Sequence, residues 1–214
     1  MWLSCAAILA AFLLQASGLY KISMEGDPIG SERFEITGSN RKITSRSSGE
    51  ISESGAAYKL TTLAEWDGGR PIRYVLELKF GSAEQKYTID FQSKEALIES
   101  GGRSSQRAIN ISAGAVLLDR NVWHHYRFLI ARYDMSAGGA QVFMAFVPQA
   151  GLRELPVTVE RRGSELLKVG QVRKKVDKFK ITLAGVIEIM LLSDESGLPL
   201  SIEIPLSKTR VALE

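Results

Sequence analysis

His124 and His125 are the two histidines of this chain, and they stand side by side in NVWHHYRFLIARYD (residues 121–134), between a tryptophan and a tyrosine. Imidazole transfers protons near neutral pH and is a common metal ligand. Adjacent positions are nevertheless the wrong spacing for a joint task. Neighbours on a helix point about 100° apart, and neighbours on a strand point to opposite faces. Two imidazoles so placed cannot chelate one ion; a helical pair needs i, i+4 spacing with an acidic residue between. If the stretch is helical, His124 faces solvent and His125 borders the apolar stripe. A single hydrogen bond from His125 to a neighbouring loop is then its expected role.

No other catalytic pattern replaces the histidines. There is no G-x-S-x-G elbow for a serine nucleophile, and no glycine-rich loop follows a strand and opens a helix as nucleotide binding requires. Asp and Glu are scattered over many segments without singling out a pair. The expectation is therefore a non-enzymatic protein with no catalytic residues, no metal ligands and no cofactor. The first alternative is a structural or protein-interaction module of the envelope; a lesser one is a hydrolase of envelope polymer, which would need two carboxylates about 5–10 Å apart in a cleft.

The N-terminal residues set the compartment. Leu3 to Leu14 form an apolar run of twelve, followed by Gln15 and the small residues of ASG. That pattern predicts a signal peptide over 1–18 and a mature, exported domain over 19–214, periplasmic or extracellular. The run lacks a preceding Lys or Arg, and it is short for a permanent span, which needs about 20 apolar residues. Cys5, the sole cysteine, lies inside it. The mature domain would then have no disulfide, no thiol chemistry and no Cys-ligated zinc.

Charge narrows the partners. A net +3 over 214 residues is too small to imply nucleic acid. The basic residues concentrate in 161–180, RRGSELLKVGQVRKKVDKFK, where eight Lys or Arg meet only Glu165 and Asp177, a local +6. Alternation with Phe179 and Ile181 places these charges on the wet face of strands. The functional expectation is contact with an anionic envelope surface.

The elements that must position any site are mostly strands. Ile72, Tyr74, Leu76, Leu78 and Phe80 alternate with polar residues, as do Tyr58, Leu60, Ala64 and Trp66 before them, with the turn DGGRP between. Tyr87, Ile89 and Phe91 repeat the pattern. Later come Phe179, Ile181 and Leu183; then Ile187, Ile189 and Leu191; then Leu198, Leu200, Ile202 and Ile204 after the SDESG turn. Turn signals every 8–12 residues predict an antiparallel meander that forms a curved sheet or partial barrel. The run VFMAFV (142–147) has no polar alternation, as in a strand buried on both faces. Residues 99–107 read as an exposed loop, and 39–57 as strand mixed with serine-rich turn.

One segment departs from this rhythm. Val122, Tyr126, Leu129, Ile130 and Tyr133 follow helical spacing, with Asp119 or Asn121 as cap and Gly138–Gly139 beyond the end. A strand instead would group Tyr126, Phe128 and Ile130. A helix at about 120–133, between two meander halves, is the preferred reading, with the strand left open. As a lid or plug on a cavity it would offer Trp123, Tyr126, Leu129, Ile130 and Tyr133 as contacts for an apolar small molecule or lipid.

The order of these segments resembles uncharacterised exported bacterial β proteins of the DUF3108 and DUF6134 kind. The resemblance runs from GSERFEI through NVWHHYRFLIARYD, GGAQVFMAFVPQ and VTVERRG to ITLAGVIEIMLLSDESGLPLSIEIP. It implies a curved antiparallel half-barrel, similar to periplasmic lipoprotein carriers that shield acyl chains. It transfers no catalytic residue.

Overall fold

The computed structural model describes residues 13–39, 41–53, 55–169 and 172–214. Eight strands come first: β1 (Leu13–Met24), β2 (Asp27–Ser39), β3 (Lys42–Glu53), β4 (Ala56–Asp67), β5 (Arg70–Phe80), β6 (Ala83–Asp90), β7 (Glu95–Ser100) and β8 (Arg103–Ala108). A two-residue strand β9 (Val116–Leu117) leads into a 3-10 turn, Trp123–His125, and the helix α1, Tyr126–Ile130. Six strands follow: β10 (Ala140–Val147), β11 (Arg153–Val169), β12 (Val172–Leu183), β13 (Ile187–Ser193), β14 (Pro199–Ile204) and β15 (Thr209–Leu213).

All fifteen strands belong to one open sheet, in the order β8-β7-β6-β5-β4-β3-β2-β1-β15-β14-β13-β12-β11-β10-β9. Each half of the chain is a meander of hairpins. The last strand returns to the first, pairing antiparallel from Tyr20↔Leu213 to Met24↔Thr209. Only β9 breaks the rule, lying parallel to β10. The expected signal segment falls mainly on residues 1–12, outside the described residues, while 13–18 form the start of β1 and pair with 34–39 of β2.

Period-two burial drives the strands as their sequence suggests. On β4 and β5, Leu60, Ala64, Trp66, Tyr74 and Leu76 are buried while their neighbours are not. Phe80 departs from the expected inward set: it lies at the end of β5 and is 45% exposed. Residues 99–107, read as loop, are instead the β7–β8 hairpin, with Gly101 and Gly102 supplying the positive φ of its turn. On β10 the sequence expectation holds for one end: Ala145, Phe146 and Val147 are buried in succession, but Val142 is 67% exposed.

The sheet curls around the segment that follows β9. Phe128 stacks on Trp66 of β4 with ring centroids 4.0 Å apart, and Tyr133 meets Phe179 of β12 edge-on at 5.5 Å. One short segment therefore touches both halves of the meander. Its helical part is shorter than the 120–133 expected from spacing. Asn121 has a φ of 60°, which ends any helix on that side, and no side chain caps either helical piece. Enclosure explains the difference. Tertiary packing on all sides, not one apolar stripe, holds these residues in place. Val122, Trp123, His124, His125, Tyr126, Arg127, Leu129 and Ile130 are all buried. Phe128, the residue that fitted the helix reading least, finds its partner in the opposing β4.

Candidate functional site

The inner face of β2 carries Glu32, Phe34 and Ile36, and that of β3 carries Ser45 and Ser47. Glu32 is wholly buried, and its carboxylate gathers the start of the helical segment. Oε2 accepts the backbone N–H of Trp123 at 2.8 Å and that of His124 at 3.3 Å, while Oε1 lies 2.8 Å from Nδ1 of His124. The other ring nitrogen, Nε2, lies 3.0 Å from Oγ of Ser45. Both sides of the imidazole are thus engaged. Phe34 stacks on its face at 5.6 Å and on Tyr20 beyond, at 5.1 Å. Gly18 makes room for that stack, because a Cβ there would lie 2.9 Å from the Phe34 ring and 2.5 Å from Leu213.

The placement of His124 in solvent, expected from an amphipathic helix, is therefore wrong. The ring is fully buried because β2 and β3 supply a carboxylate and a hydroxyl to the face that a surface helix would give to water. The resulting order, hydroxyl to imidazole to carboxylate, is that of a serine hydrolase triad. Accessibility separates the two cases. Ser45, His124 and Glu32 each have zero exposure, and none of the three lines the aliphatic cavity described below. In this arrangement the trio pins the helical segment inside the sheet.

His125 is placed differently. Its two ring nitrogens are buried without a hydrogen-bond partner among the described residues. The ring sits among the rings of Trp66, Tyr74, Phe128 and His124. Burial, reinforced by His124, holds its pKa well below the ordinary 6.5. The expected hydrogen bond from His125 to a loop is not made.

Just before the turn, Asp119 is a second buried carboxyl. It accepts hydrogen bonds from the Tyr74 hydroxyl at 2.9 Å, from the Arg120 backbone at 2.9 Å and from the Gln149 backbone at 3.2 Å. Burial raises its pKa to about 6 despite these bonds. Burial also raises the Tyr74 phenol, with the Asp119 charge adding to it.

A cavity of about 600 Å³ opens on the other side of this polar layer. Its walls are largely aliphatic, with Ile22, Ile51, Leu118, Leu183, Ile189 and Ile204 among them. Trp123 and Tyr126 line it, and the indole N–H of Trp123 is buried with no acceptor among the described residues. Of the five residues anticipated as ligand contacts, these two reach the cavity wall. Leu129 and Ile130 are buried in the core away from it, and Tyr133 packs on Phe179 and donates its hydroxyl to the Gly139 carbonyl at 2.8 Å.

The basic run 161–180 occupies β11 and β12. Beyond Glu160 and before Asp177 these strands pair only with each other, forming a two-stranded ribbon that leaves the sheet at a bulge near Gly163. Much of its charge is met locally, by Arg161 with Asp177, Arg162 with Glu160, Lys178 with Glu165 and Lys180 with Glu188. Arg173, Lys174 and Lys175 remain exposed.

Sequence reasoning did not single out Glu32, Ser45 or the cavity lining of the C-terminal strands. Glu32 carries a usable signal, since it shares the inward parity of Phe34 and Ile36 on an otherwise alternating strand. Among the described residues no group of three or more His, Cys, Asp or Glu could hold a metal, and no helix is long and apolar enough to cross a membrane.

No family model matches the chain, and no curated protein matches it. Among solved structures, the chain is similar to a β-barrel-like protein of the domain of unknown function DUF1849 from Brucella abortus. The TM-score is 0.64 at 12% identity, over 96% of this chain and 98% of that one. At that identity the likeness speaks to the fold alone. It supports an uncharacterised all-β architecture; the finer DUF3108 or DUF6134 assignment has no match behind it.

Proposed function

We propose that this protein is an exported, non-enzymatic β protein that binds an apolar small molecule or lipid inside its curved sheet. The observation that carries the proposal is the cavity of about 600 Å³ between the 118–126 segment and the C-terminal strands. That volume falls in the range of small-molecule sites, about 300–1,000 Å³, and such sites are mostly apolar with a few placed polar groups. Burial of Ser45, His124 and Glu32 argues against an acyl-transfer role for the one catalytic-looking cluster. Export rests on the Leu3–Leu14 run and the absence of cysteine after it.

Native mass spectrometry of protein purified without detergent tests the binding. A mass above that of the polypeptide, or displacement of a fluorescent fatty-acid probe, is expected. A clean apo mass together with no probe binding would overturn it.

A second reading is contact with an anionic envelope surface, favoured by the exposed Arg173, Lys174 and Lys175 on the protruding ribbon. Salt-sensitive sedimentation with anionic vesicles, lost in a triple charge reversal, is its test.

A further inference from the structure

The polar groups of the cavity are not spread evenly around it. Apart from Ser207 and Thr209, whose hydroxyls bond to each other at 2.8 Å, and the rings of Trp123 and Tyr126, the polar side chains of the lining are Asp119, Arg120, Asn121, Gln149 and Arg153. These come from two adjoining segments. Gln149 Nε2 donates to the Arg120 carbonyl at 2.9 Å, and the Gln149 backbone N–H donates to Asp119. Gln149 itself lies in the short 3-10 turn that delivers the chain to Arg153 at the start of β11. The facing strands supply Ile22, Ile187, Ile189 and Ile204.

Charge on the polar side is lopsided. Two guanidinium groups, Arg120 and Arg153, both on exposed residues, stand at the rim. Arg153 makes no ion pair among the described residues. The lone carboxylate of the lining, Asp119, is turned to internal use by its bonds from Tyr74, Arg120 and Gln149. Trp123 of the same segment adds ring surface to the wall, with its indole N–H wholly buried. An exposed cation without an ion pair, beside an aliphatic pocket, suits a ligand with one anionic, hydrogen-bond-accepting end.

Building on the apolar-ligand reading above, we infer that the ligand is a single-headed anionic amphiphile. Its head, a carboxylate or a phosphate monoester, lies against Arg153 at the rim, and its tail runs along the aliphatic wall. Arg153 fixes the polarity of entry, and a neutral or cationic head gains nothing from it.

The test uses the full chain with myristate, monotetradecyl phosphate, 1-tetradecanol, tetradecyltrimethylammonium and, as tail-free controls, acetate and inorganic phosphate, so that all four tails have the same length. Binding is read by displacement of a fluorescent probe. Myristate or monotetradecyl phosphate is expected to bind about tenfold or more tighter than 1-tetradecanol, the scale of a charge-assisted hydrogen bond. Which of the two binds tighter distinguishes carboxylate from phosphate heads, and acetate and phosphate alone should not compete. Arg153→Glu should abolish the preference for an anionic head while leaving 1-tetradecanol binding within twofold; Arg153→Lys should keep most of it. Equal binding of acid and alcohol, or tightest binding of the trimethylammonium compound, would overturn the head-group inference and leave the apolar cavity standing. Failure of every amphiphile to bind would remove both.

Discussion

Nδ1 of His124 lies 2.8 Å from Oε1 of Glu32, with both side chains wholly excluded from solvent. The carboxylate also accepts the backbone N–H groups of Trp123 and His124, so one side chain on β2 fixes the start of the helical segment. Glu32→Ala leaves three donors buried without an acceptor. Leaving buried donors unsatisfied costs about 1–3 kcal/mol each, and a urea titration should show the loss as a lowered midpoint. Glu32→Gln keeps one carbonyl oxygen and should lose less. Parent-like stability in Glu32→Ala would show that the segment is held by packing alone.

Ser45 completes a triad-like order, yet it has no exposed surface. A fluorophosphonate reagent is therefore expected to leave the folded protein unlabelled at Ser45. Ser45→Ala should cost about 1 kcal/mol, the net value of one hydrogen bond. Stoichiometric labelling of Ser45, traced by peptide mass spectrometry, would reverse the reading and point to a hydrolase.

His125 is the opposite case, a buried ring with both nitrogens unpartnered among the described residues. Burying unsatisfied polar atoms costs free energy, so His125→Leu, near in volume, is expected to raise stability by about 1 kcal/mol at pH 7. The sign with pH follows from its depressed pKa. Above about 6.5 the ring is neutral in both states; below it the unfolded chain takes up a proton that the folded one refuses. Stability contributed by the neutral ring is lost as the pH falls through that window. Melting curves between pH 7 and 4 should show this loss in the parent and not in His125→Leu.

How far the sequence reveals these features depends on whether a local pattern encodes them. Strand alternation is local, so the inward faces of β4, β6 and β12 follow from Leu60, Ile89 and Phe179 and their neighbours. The helix around Tyr126 is visible as a departure from that alternation. Its length is not, because the limits come from Asn121 at positive φ and from rings on β4 and β12 that lie far away in sequence. The His124–Glu32 pair spans 92 positions, and only the register of β2 against the curled sheet brings the two together. The cavity is a property of several strands at once, which explains why reasoning along one segment offers Leu129, Ile130 and Tyr133 together with Trp123 and Tyr126, and does not reach Ile189 and Ile204.

Asp119 carries a pH dependence of the reverse sign. Its pKa is raised from 3.8 to about 6 in the folded protein, so the folded state holds a proton that the unfolded state has released. The stabilisation is complete below about 3.8 and is lost as the pH rises through 6. A rise from 3.8 to about 6 is equivalent to on the order of 3 kcal/mol between the two protonation states. Asp119→Asn cannot ionise, and its amide can still accept from the Arg120 and Gln149 backbones and donate to the Tyr74 oxygen. Unfolding free energies from pH 4 to 7 should fall with pH in the parent relative to Asp119→Asn. Parallel curves would show that Asp119 is ionised throughout.

Ile187 offers the cleanest way to separate the cavity from the fold. It is half-buried at the start of β13, lines the cavity and pairs with Leu183 across the β12–β13 turn. Ile187→Trp directs a larger side chain into space that is already apolar, so little packing is disturbed. The melting temperature is expected to stay within a few degrees of the parent, the span of about 1 kcal/mol for a domain of this size. Uptake of a fluorescent fatty-acid probe should fall at least tenfold, since the inserted ring occupies part of the about 600 Å³ the ligand needs. Undiminished uptake with an unchanged melting temperature would place the ligand elsewhere on the sheet and leave this cavity empty of function.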